Sequence, residues 1–245
     1  MNGVIKKLLL LVAGIFLLFF VNAITSVIFD RNDMPDSQIT VSTKLNDVSQ
    51  SEIESVKKET RKALNFIPPI LGIDYKKKII IKIVDYGICN ANRGVVSVPI
   101  AHIRDKSAAI IHEVTHIIAK HESNSFFSEG LAVYFQERFG EYQVFPNFSI
   151  PLDELVRNHE DQLVQITNLN NDNEIFRQVG TERRRIAYIE AGSFFNYLVV
   201  KYGEQKLADL HNSRTLNYKK FFGKKIKELE VDWKRYVLGE THENI

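Results

Sequence analysis

Cysteine is nearly absent from this sequence, since Cys89 is the only one among 245 residues. A single cysteine cannot form an internal disulfide, and it cannot build a zinc site from several thiolates. A basic surface is also missing: the formal net charge is +2, and no basic block alternates with aromatic residues. The composition is otherwise that of an ordinary globular protein, with 44% hydrophobic and 25% charged residues. Binding to nucleic acid is therefore not indicated.

Charge is also lacking in a long apolar run near the N-terminus. Lys6 and Lys7 precede residues 8–29, which only four small or polar residues interrupt. A helix of this length can cross a hydrocarbon core of about 30 Å, and its positive flank would stay in the cytoplasm. Alternatively, residues 8–20 form the core of a signal peptide that is cleaved after residues 21–23. Both interpretations place the rest of the chain outside the cytoplasm, either anchored to the membrane or secreted.

The chain is expected to have three parts. Residues 1–30 are the transmembrane anchor or signal peptide, residues 31–37 are a polar linker with Pro35, and residues 38–245 are one domain. No repeats and no second compositional domain are evident. Strand patterns dominate the first part of the domain and helical patterns the rest. The predicted fold class is α+β, with a small mixed or antiparallel sheet and a helical C-terminal half.

Short apolar and alternating segments predict three strands. They cover residues 39–43, 78–84 and 94–100, and a turn is predicted at residues 86–93. Pro99 cannot donate a hydrogen bond to a neighbouring strand, so the third strand is expected at a sheet edge.

Apolar residues at helical spacing predict the helices of the domain. A first helix is expected from Ser49 to Ile67, ending before Pro68 and Pro69. The segment from residue 141 to 181 is loop-like, with short helices. Four further helices are expected over residues 126–139, 184–202, 204–211 and 225–237.

The motif His112-Glu113-Val114-Thr115-His116 is the most informative segment of the sequence. Two histidines four residues apart project from one face of a helix, so both can bind one Zn²⁺ at about 2.0–2.1 Å. Glu113 points into the same cleft and can take a proton from a zinc-bound water. The alternative is a chance pair of exposed helix histidines that flank a surface glutamate.

The helix around this motif is unusually apolar. Asp105 or Ser107 can cap it, and it is expected to run to about Lys120. Because apolar residues cover much of its circumference, His112 and His116 would be polar groups in an apolar wall. Burial of two such groups is costly unless they have partners, and one metal ion supplies a partner to both. This favours zinc binding over exposed histidines.

A catalytic zinc ion needs a third protein ligand and one open position. The candidates are His121, Glu122 and Glu129. His121 lies about 140° round the helix from His116 and faces away. Glu122 would suit the HExxHxxGxxH pattern, but that pattern requires glycine where this chain has Ala119, and a methionine downstream, where none occurs. Glu129 opens the next helix, and a helix-turn-helix would fold its carboxylate back onto the histidines.

The two segments together resemble a known family. HEVTH followed by SEGLAVY at residues 128–134 is similar to the gluzincin metallopeptidases, in particular to the peptidase MA-like family. The resemblance implies a zincin-like domain and one zinc ion on His112, His116 and Glu129, with Glu113 as the general base. Residues 188–203 are similar to the downstream helix of that family, so the resemblance covers about residues 75 to 210.

The sequence departs from this family in two places. Thermolysin-like members have an aspartate four residues after the ligand glutamate, where this chain has Val133. That aspartate orients a histidine ligand, and Glu190 is a possible substitute. Gluzincin aminopeptidases hold the free amine of the substrate with an upstream glutamate, but residues 94–99 contain no acid. An endopeptidase therefore fits better than an aminopeptidase.

The expected function is zinc-dependent hydrolysis of a peptide or protein substrate outside the cytoplasm. Zinc would lower the pKa of its water towards about 7, and Glu113 would accept the proton. A second donor has to stabilise the oxyanion, and Tyr188 in the family-like downstream segment is the candidate. The alternative function is a membrane-anchored zinc-binding interaction domain without turnover. An intact Glu113 argues against it, because a structural zinc site has no use for this carboxylate.

Overall fold

A computed structural model describes residues 36–120, 124–140, 143–213 and 215–239, all within one compact unit, residues 36–245. The predicted N-terminal anchor or signal peptide lies outside these residues, as do most of the linker and the rejected ligand candidates His121 and Glu122. No helix within the described residues is long and apolar enough to cross a membrane. The described part combines a small sheet with mostly helical structure, which agrees with the predicted mixture of helices and strands.

The sheet has four strands in the order β1-β2-β4-β3. They are β1 (Ile39–Thr43), β2 (Ile79–Val84), β3 (Asn90–Asn92) and β4 (Val95–Pro99). Strands β1, β2 and β4 are parallel, whereas β3 runs antiparallel to β4, so the sheet is mixed. In β2 the buried residues alternate with more exposed ones, as expected for a strand with one face in the core.

The prediction that the strand containing Pro99 lies at the sheet edge is wrong. Strand β4 is central, between β2 and β3, and Pro99 pairs with Val84 at the last position of the strand. Its missing N–H costs little there because Pro99 also precedes the first turn of a helix. The edge strands are β1 and β3, and β3 forms within the segment predicted to be a turn.

The first helix, α1, spans Gln50–Leu71, and Ser49 caps it in a capping box with Glu52. The predicted end before Pro68 is wrong, because both Pro68 and Pro69 lie inside the helix. A proline lacks an N–H donor and its ring crowds the carbonyl four residues earlier, but both prolines lie in the last turn, so only the end of the helix is affected. The carbonyl oxygens of the two prolines accept hydrogen bonds from Gly72 and Ile73, which closes the last turn.

Ten helices follow α1 within the described residues, and the motif helix is α3. They are α2 (Ile100–Arg104), α3 (Ile110–Ala119), α4 (Ser125–Phe139), α5 (Leu152–Asn158), α6 (Ile166–Asn171), α7 (Glu174–Arg177), α8 (Glu182–Tyr202), α9 (Glu204–His211), α10 (Tyr218–Phe222) and α11 (Ile226–Leu238). The four helices predicted after residue 125 are confirmed to within two residues at each end. Short 3₁₀ segments occur at Asp36–Gln38 and Glu160–Gln162.

Helices α4 and α8 pack closely because each has a glycine at the contact. A Cβ atom on Gly130 would lie 2.4 Å from a ring carbon of Phe195, and one on Gly192 would lie 2.4 Å from a methyl carbon of Val133. Val133 is therefore a buried packing residue. Helix α4 also packs against the motif helix α3, so it connects that helix to α8.

Candidate metal centre

Three side chains from α3 and α4 bring their donor atoms together. His112 and His116 lie one turn apart on α3, and their Nε2 atoms are 3.1 Å apart. Glu129 comes from the first turns of α4, and its Oε2 lies 3.2 Å from Nε2 of His112 and 3.3 Å from Nε2 of His116. The three predicted ligands thus form a nearly equilateral triangle.

The triangle fits a tetrahedral metal ion. Metal–ligand bonds of about 2.0–2.1 Å at tetrahedral angles place the ligand atoms roughly 3.3–3.4 Å apart. When both histidines carry their proton on Nδ1, all three atoms present lone pairs to one another, which is unfavourable unless a cation lies among them. A proton serves only one pair of these atoms, whereas one divalent cation binds all three. Within the described residues, this is the only group of histidine, cysteine or acidic side chains with such an arrangement.

The electrostatics of the three groups also favour a cation. Burial acts to raise the pKa of Glu129, but the charges and hydrogen bonds of His116 and His112 hold it well below its usual range. Burial acts to lower the pKa of His116, but the charge of Glu129 outweighs it, so this pKa is raised. The carboxylate therefore stays ionised, and the imidazoles lie in its negative field.

The start of α3 differs from the prediction. The helix begins at Ile110 and its N-cap residue is Ala109, so neither Asp105 nor Ser107 caps it. Instead Gln136 of α4 accepts a hydrogen bond from the His112 backbone N–H at 3.0 Å. A side chain from the neighbouring helix thus satisfies one of the unpaired donors of the first turn. This contact fixes the position of His112 relative to the helix that carries Glu129.

The second ring nitrogens of the two histidines have different surroundings. Nδ1 of His116 lies 3.0 Å from the hydroxyl of Ser128, the residue directly before the ligand Glu129. Nδ1 of His112 is buried and has no hydrogen-bond partner within the described residues. Glu190, the proposed substitute for the missing aspartate, does not take this role. Its carboxylate accepts a hydrogen bond from the Val164 backbone at 2.7 Å and belongs to another part of the core.

Glu113 lies beside the three donor atoms without being one of them. It is buried, with 8% of its surface exposed, and burial raises its pKa despite the opposing fields of His112 and His116. The backbone of Ala91 in β3 lies beside its carboxylate and acts to lower the same pKa. The edge strand therefore helps to hold this carboxylate in place.

Tyr188 of α8 completes the group. Its ring lies nearly parallel to that of His112, with centroids 6.2 Å apart, and its hydroxyl accepts a 2.8 Å hydrogen bond from Arg184. The pKa of Tyr188 is raised by burial and also by the negative charge of Glu129.

All five predicted site residues line one cavity of about 1260 Å³. Residues of α3, α4, α8 and β3 line it, together with residues of the loops before α8. Cys89 and His102 also line the cavity, with Sγ and Nδ1 3.5 Å apart. Burial raises the pKa of the Cys89 thiol to about 12, so this sulfur is not a ready metal ligand.

Sequence reasoning missed four residues that support the site: Ala91, Ser128, Gln136 and Arg184. Ser128 lies next to a predicted ligand, and Arg184 lies one helical turn before Tyr188, so helical spacing could have indicated both. Nothing in the sequence indicates Ala91 or Gln136, because their contacts depend on how the sheet and α4 pack against α3.

Comparison with known proteins identified no relative of this chain. No family model matches the chain, and neither a curated protein nor a solved structure matches it significantly. The resemblance to the gluzincins therefore stays a prediction, supported by the motif residues and by the geometry described above.

Proposed function

We propose that this protein is a zinc-dependent metallopeptidase of the gluzincin type, with a zincin-like fold. One observation carries the proposal: donor atoms of His112, His116 and Glu129 converge in one cavity, and the carboxylate of Glu113 lies beside them. A structural zinc site is usually closed by four protein ligands, whereas three ligands and a neighbouring free carboxylate are typical of hydrolytic zinc sites.

His112, His116 and Glu129 would hold the ion. When bound, zinc supplies Lewis-acid chemistry, lowering the pKa of a coordinated water and polarising a carbonyl. Glu113 accepts a proton at its carboxylate and donates it to the leaving amine. Burial suits it to this role, because a carboxylate with a raised pKa is a stronger base than an exposed one. The Ala91 backbone keeps that carboxylate in place.

Tyr188 is the proposed donor to the oxyanion. Its hydroxyl lies in the electrostatic field of Glu129, and its ring lies nearly parallel to that of His112. Its raised pKa keeps the phenol protonated, as a donor requires. Arg184 holds the phenol oxygen from the other side.

The peptide would lie along β3. This strand pairs with β4 on one side only and borders the cavity, so it can add an extended chain through main-chain hydrogen bonds. The absence of an acid in residues 94–99 supports an endopeptidase over an aminopeptidase. Action outside the cytoplasm is proposed from residues 1–30 alone, and N-terminal sequencing of the mature protein distinguishes an anchor from a cleaved signal.

The main experiment compares the full chain, purified in detergent, with Glu113→Gln. The wild-type protein is expected to hold about one zinc ion, measured by mass spectrometry, and to cleave an unstructured protein such as casein. Glu113→Gln should keep zinc and lose at least about 10²-fold in activity, the usual contribution of a general base. Zinc retention without cleavage by the wild-type protein would instead support the interaction domain. A protein without zinc would overturn both functions.

A second pair of variants tests the third ligand. Glu129→Ala should weaken zinc binding at least about 10²-fold, because even residues that only orient a ligand contribute 10- to 100-fold. Glu122→Ala, at the position used in the HExxHxxGxxH pattern, should bind zinc like the wild type. Zinc affinity is measured by competition with a chelator. The opposite order would show that Glu129 is not the ligand.

A further inference from the structure

Four exposed basic residues line the cavity. They are Lys77, Lys78, Arg93 and Lys120, here called the cationic rim. Lys77 and Lys78 directly precede β2, and Arg93 lies in the turn between β3 and β4. Lys120 follows the last residue of the motif helix α3. Three separate segments of the sequence thus bring positive charge to the lining of this cavity.

The pairing of the strands brings Lys78 and Arg93 together. Strands β2 and β4 are parallel and begin at the same end of the sheet. The backbone N–H of Ile80 donates to the carbonyl of Gly94 at 3.3 Å, which joins the start of β2 to the turn that contains Arg93. Side chains of both segments therefore reach the same end of the cavity.

The edge strand β3 runs alongside α3 in the same direction. The two elements are in contact: the Ala109 backbone lies beside the thiol of Cys89, just before β3, and the Ala91 backbone lies beside the carboxylate of Glu113. Arg93 follows Ala91 by two residues, so it lies beside the C-terminal part of α3. The cationic rim is therefore at the end of the cavity where α3 ends.

The rim has little negative charge to balance it. The acids that line the cavity among the described residues are Glu113 and Glu129, both at the candidate metal centre. The four rim side chains form no ion pair with any acid that the structure describes, and all four residues are exposed. A divalent ion would offset the charge of the two glutamates. A concave surface with uncompensated positive charge concentrates anionic ligands.

We propose that the cationic rim binds acidic side chains of the substrate, so that this protein prefers acidic polypeptides. The inference rests on the proposed function, because it concerns the peptide that would lie along β3. Lys120 follows His116 by four residues, about 6 Å along the helix axis. An extended peptide covers that distance in about two residues. The preferred acidic residues therefore lie two to three positions from the scissile bond, on one side of it.

The test measures binding separately from cleavage. Three fluorescein-labelled peptides differ only at the positions on one side of the scissile bond. These positions hold Asp and Glu in the acidic peptide, Asn and Gln in the amide peptide, and Lys in the basic peptide. Binding to the full chain with Glu113→Gln is measured by fluorescence anisotropy. The acidic peptide is expected to bind about tenfold more tightly than the amide peptide, because several exposed ion pairs each contribute a fraction of a kcal/mol. About 0.5 M salt should remove most of this difference.

Charge-reversed variants test the residues. Combined with Glu113→Gln, the pair Arg93→Glu and Lys120→Glu should abolish the preference for the acidic peptide. The matched control pair, Lys201→Glu and Lys206→Glu, changes exposed residues outside the cavity and should leave it intact. Zinc content and circular dichroism check that each variant is folded. If the reversed pair does not fold, Arg93→Gln and Lys120→Gln singly should each reduce the preference about threefold.

The outcomes separate this inference from the proposed function. Preferential binding of the acidic peptide, with no cleavage by the wild-type protein, would support the rim and contradict the peptidase. Cleavage of all three peptides at equal rates, together with equal binding, would support the peptidase and overturn the rim. Tighter binding of a DNA duplex or of phosphatidylserine vesicles than of the acidic peptide, lost in the reversed pair, would also overturn it.

Discussion

Arg184 holds Tyr188 in two ways at once. Its guanidinium donates a 2.8 Å hydrogen bond to the Tyr188 hydroxyl and also lies over the same ring, 4.6 Å from the centroid. Its Nε donates to the Phe176 carbonyl at 2.8 Å, which anchors the guanidinium. Because arginine has no acceptor, the phenol oxygen accepts from it, and the phenol proton is free to point towards the metal centre.

This relationship predicts how the two residues depend on each other. Tyr188→Phe should lower kcat about 10²-fold with unchanged zinc content, the usual effect of losing one oxyanion donor. Arg184→Lys should lower kcat about tenfold, because lysine cannot reproduce the planar contact that orients the phenol. The double variant should be no slower than Tyr188→Phe, since Arg184 is proposed to act through the phenol. Steady-state kinetics on one peptide measure kcat for all three variants. If the losses of the two single variants multiply in the double variant, Arg184 does not act through the phenol.

The contact of Ser128 with His116 predicts that two serines in the first turn of α4 differ in their effect on zinc binding. Ser128→Ala removes the hydroxyl 3.0 Å from Nδ1 of His116 and should weaken zinc binding about tenfold. Ser125→Ala is the matched control, because Ser125 also lines the cavity at the start of α4 but does not contact either histidine through its hydroxyl. Zinc affinities are compared by chelator competition. Equal affinities of the two variants would show that Ser128 does not orient His116.

The motif helix and its partner helices could be predicted because their signals are local. Two histidines at helical spacing, followed by a short break and a second helix, indicate a folded-back carboxylate such as that of Glu129. The structure places these three residues together, as the spacing indicated. Tyr188 could be placed near them only through the family resemblance, because 59 residues separate it from Glu129.

The edge strand and the capping of α3 could not be predicted, because both depend on tertiary contacts. Strand β3 is Asn-Ala-Asn, which has low strand propensity, and it is extended because it pairs with β4. Gln136 satisfies the backbone of α3 from another helix. The continuation of α1 through Pro68 depends on proline carbonyls that accept hydrogen bonds, a feature that a rule about missing donors overlooks.

Glu190 is fully buried, which predicts a pH-dependent stability. One carboxylate oxygen accepts from Val164, but Oε2 has no hydrogen-bond partner within the described residues. Burial raises its pKa well above the ordinary value of 4.5. The folded state thus binds this proton more tightly than the unfolded state does. Its contribution is fully present below pH 4.5 and is lost as the pH rises towards the pKa of the folded state.

Glu190→Gln should remove this loss, because the amide resembles the protonated acid and keeps an oxygen for Val164. At pH 8 the variant is expected to be more stable than the wild type by about 1–3 kcal/mol, the cost of a buried polar group without a partner. At pH 4.5 the two should be nearly equal. Urea denaturation at both pH values measures the difference, and Glu154→Gln on the exposed side of α5 serves as the control. A variant that is equally stabilised at both pH values would show that ionisation of Glu190 does not destabilise the fold.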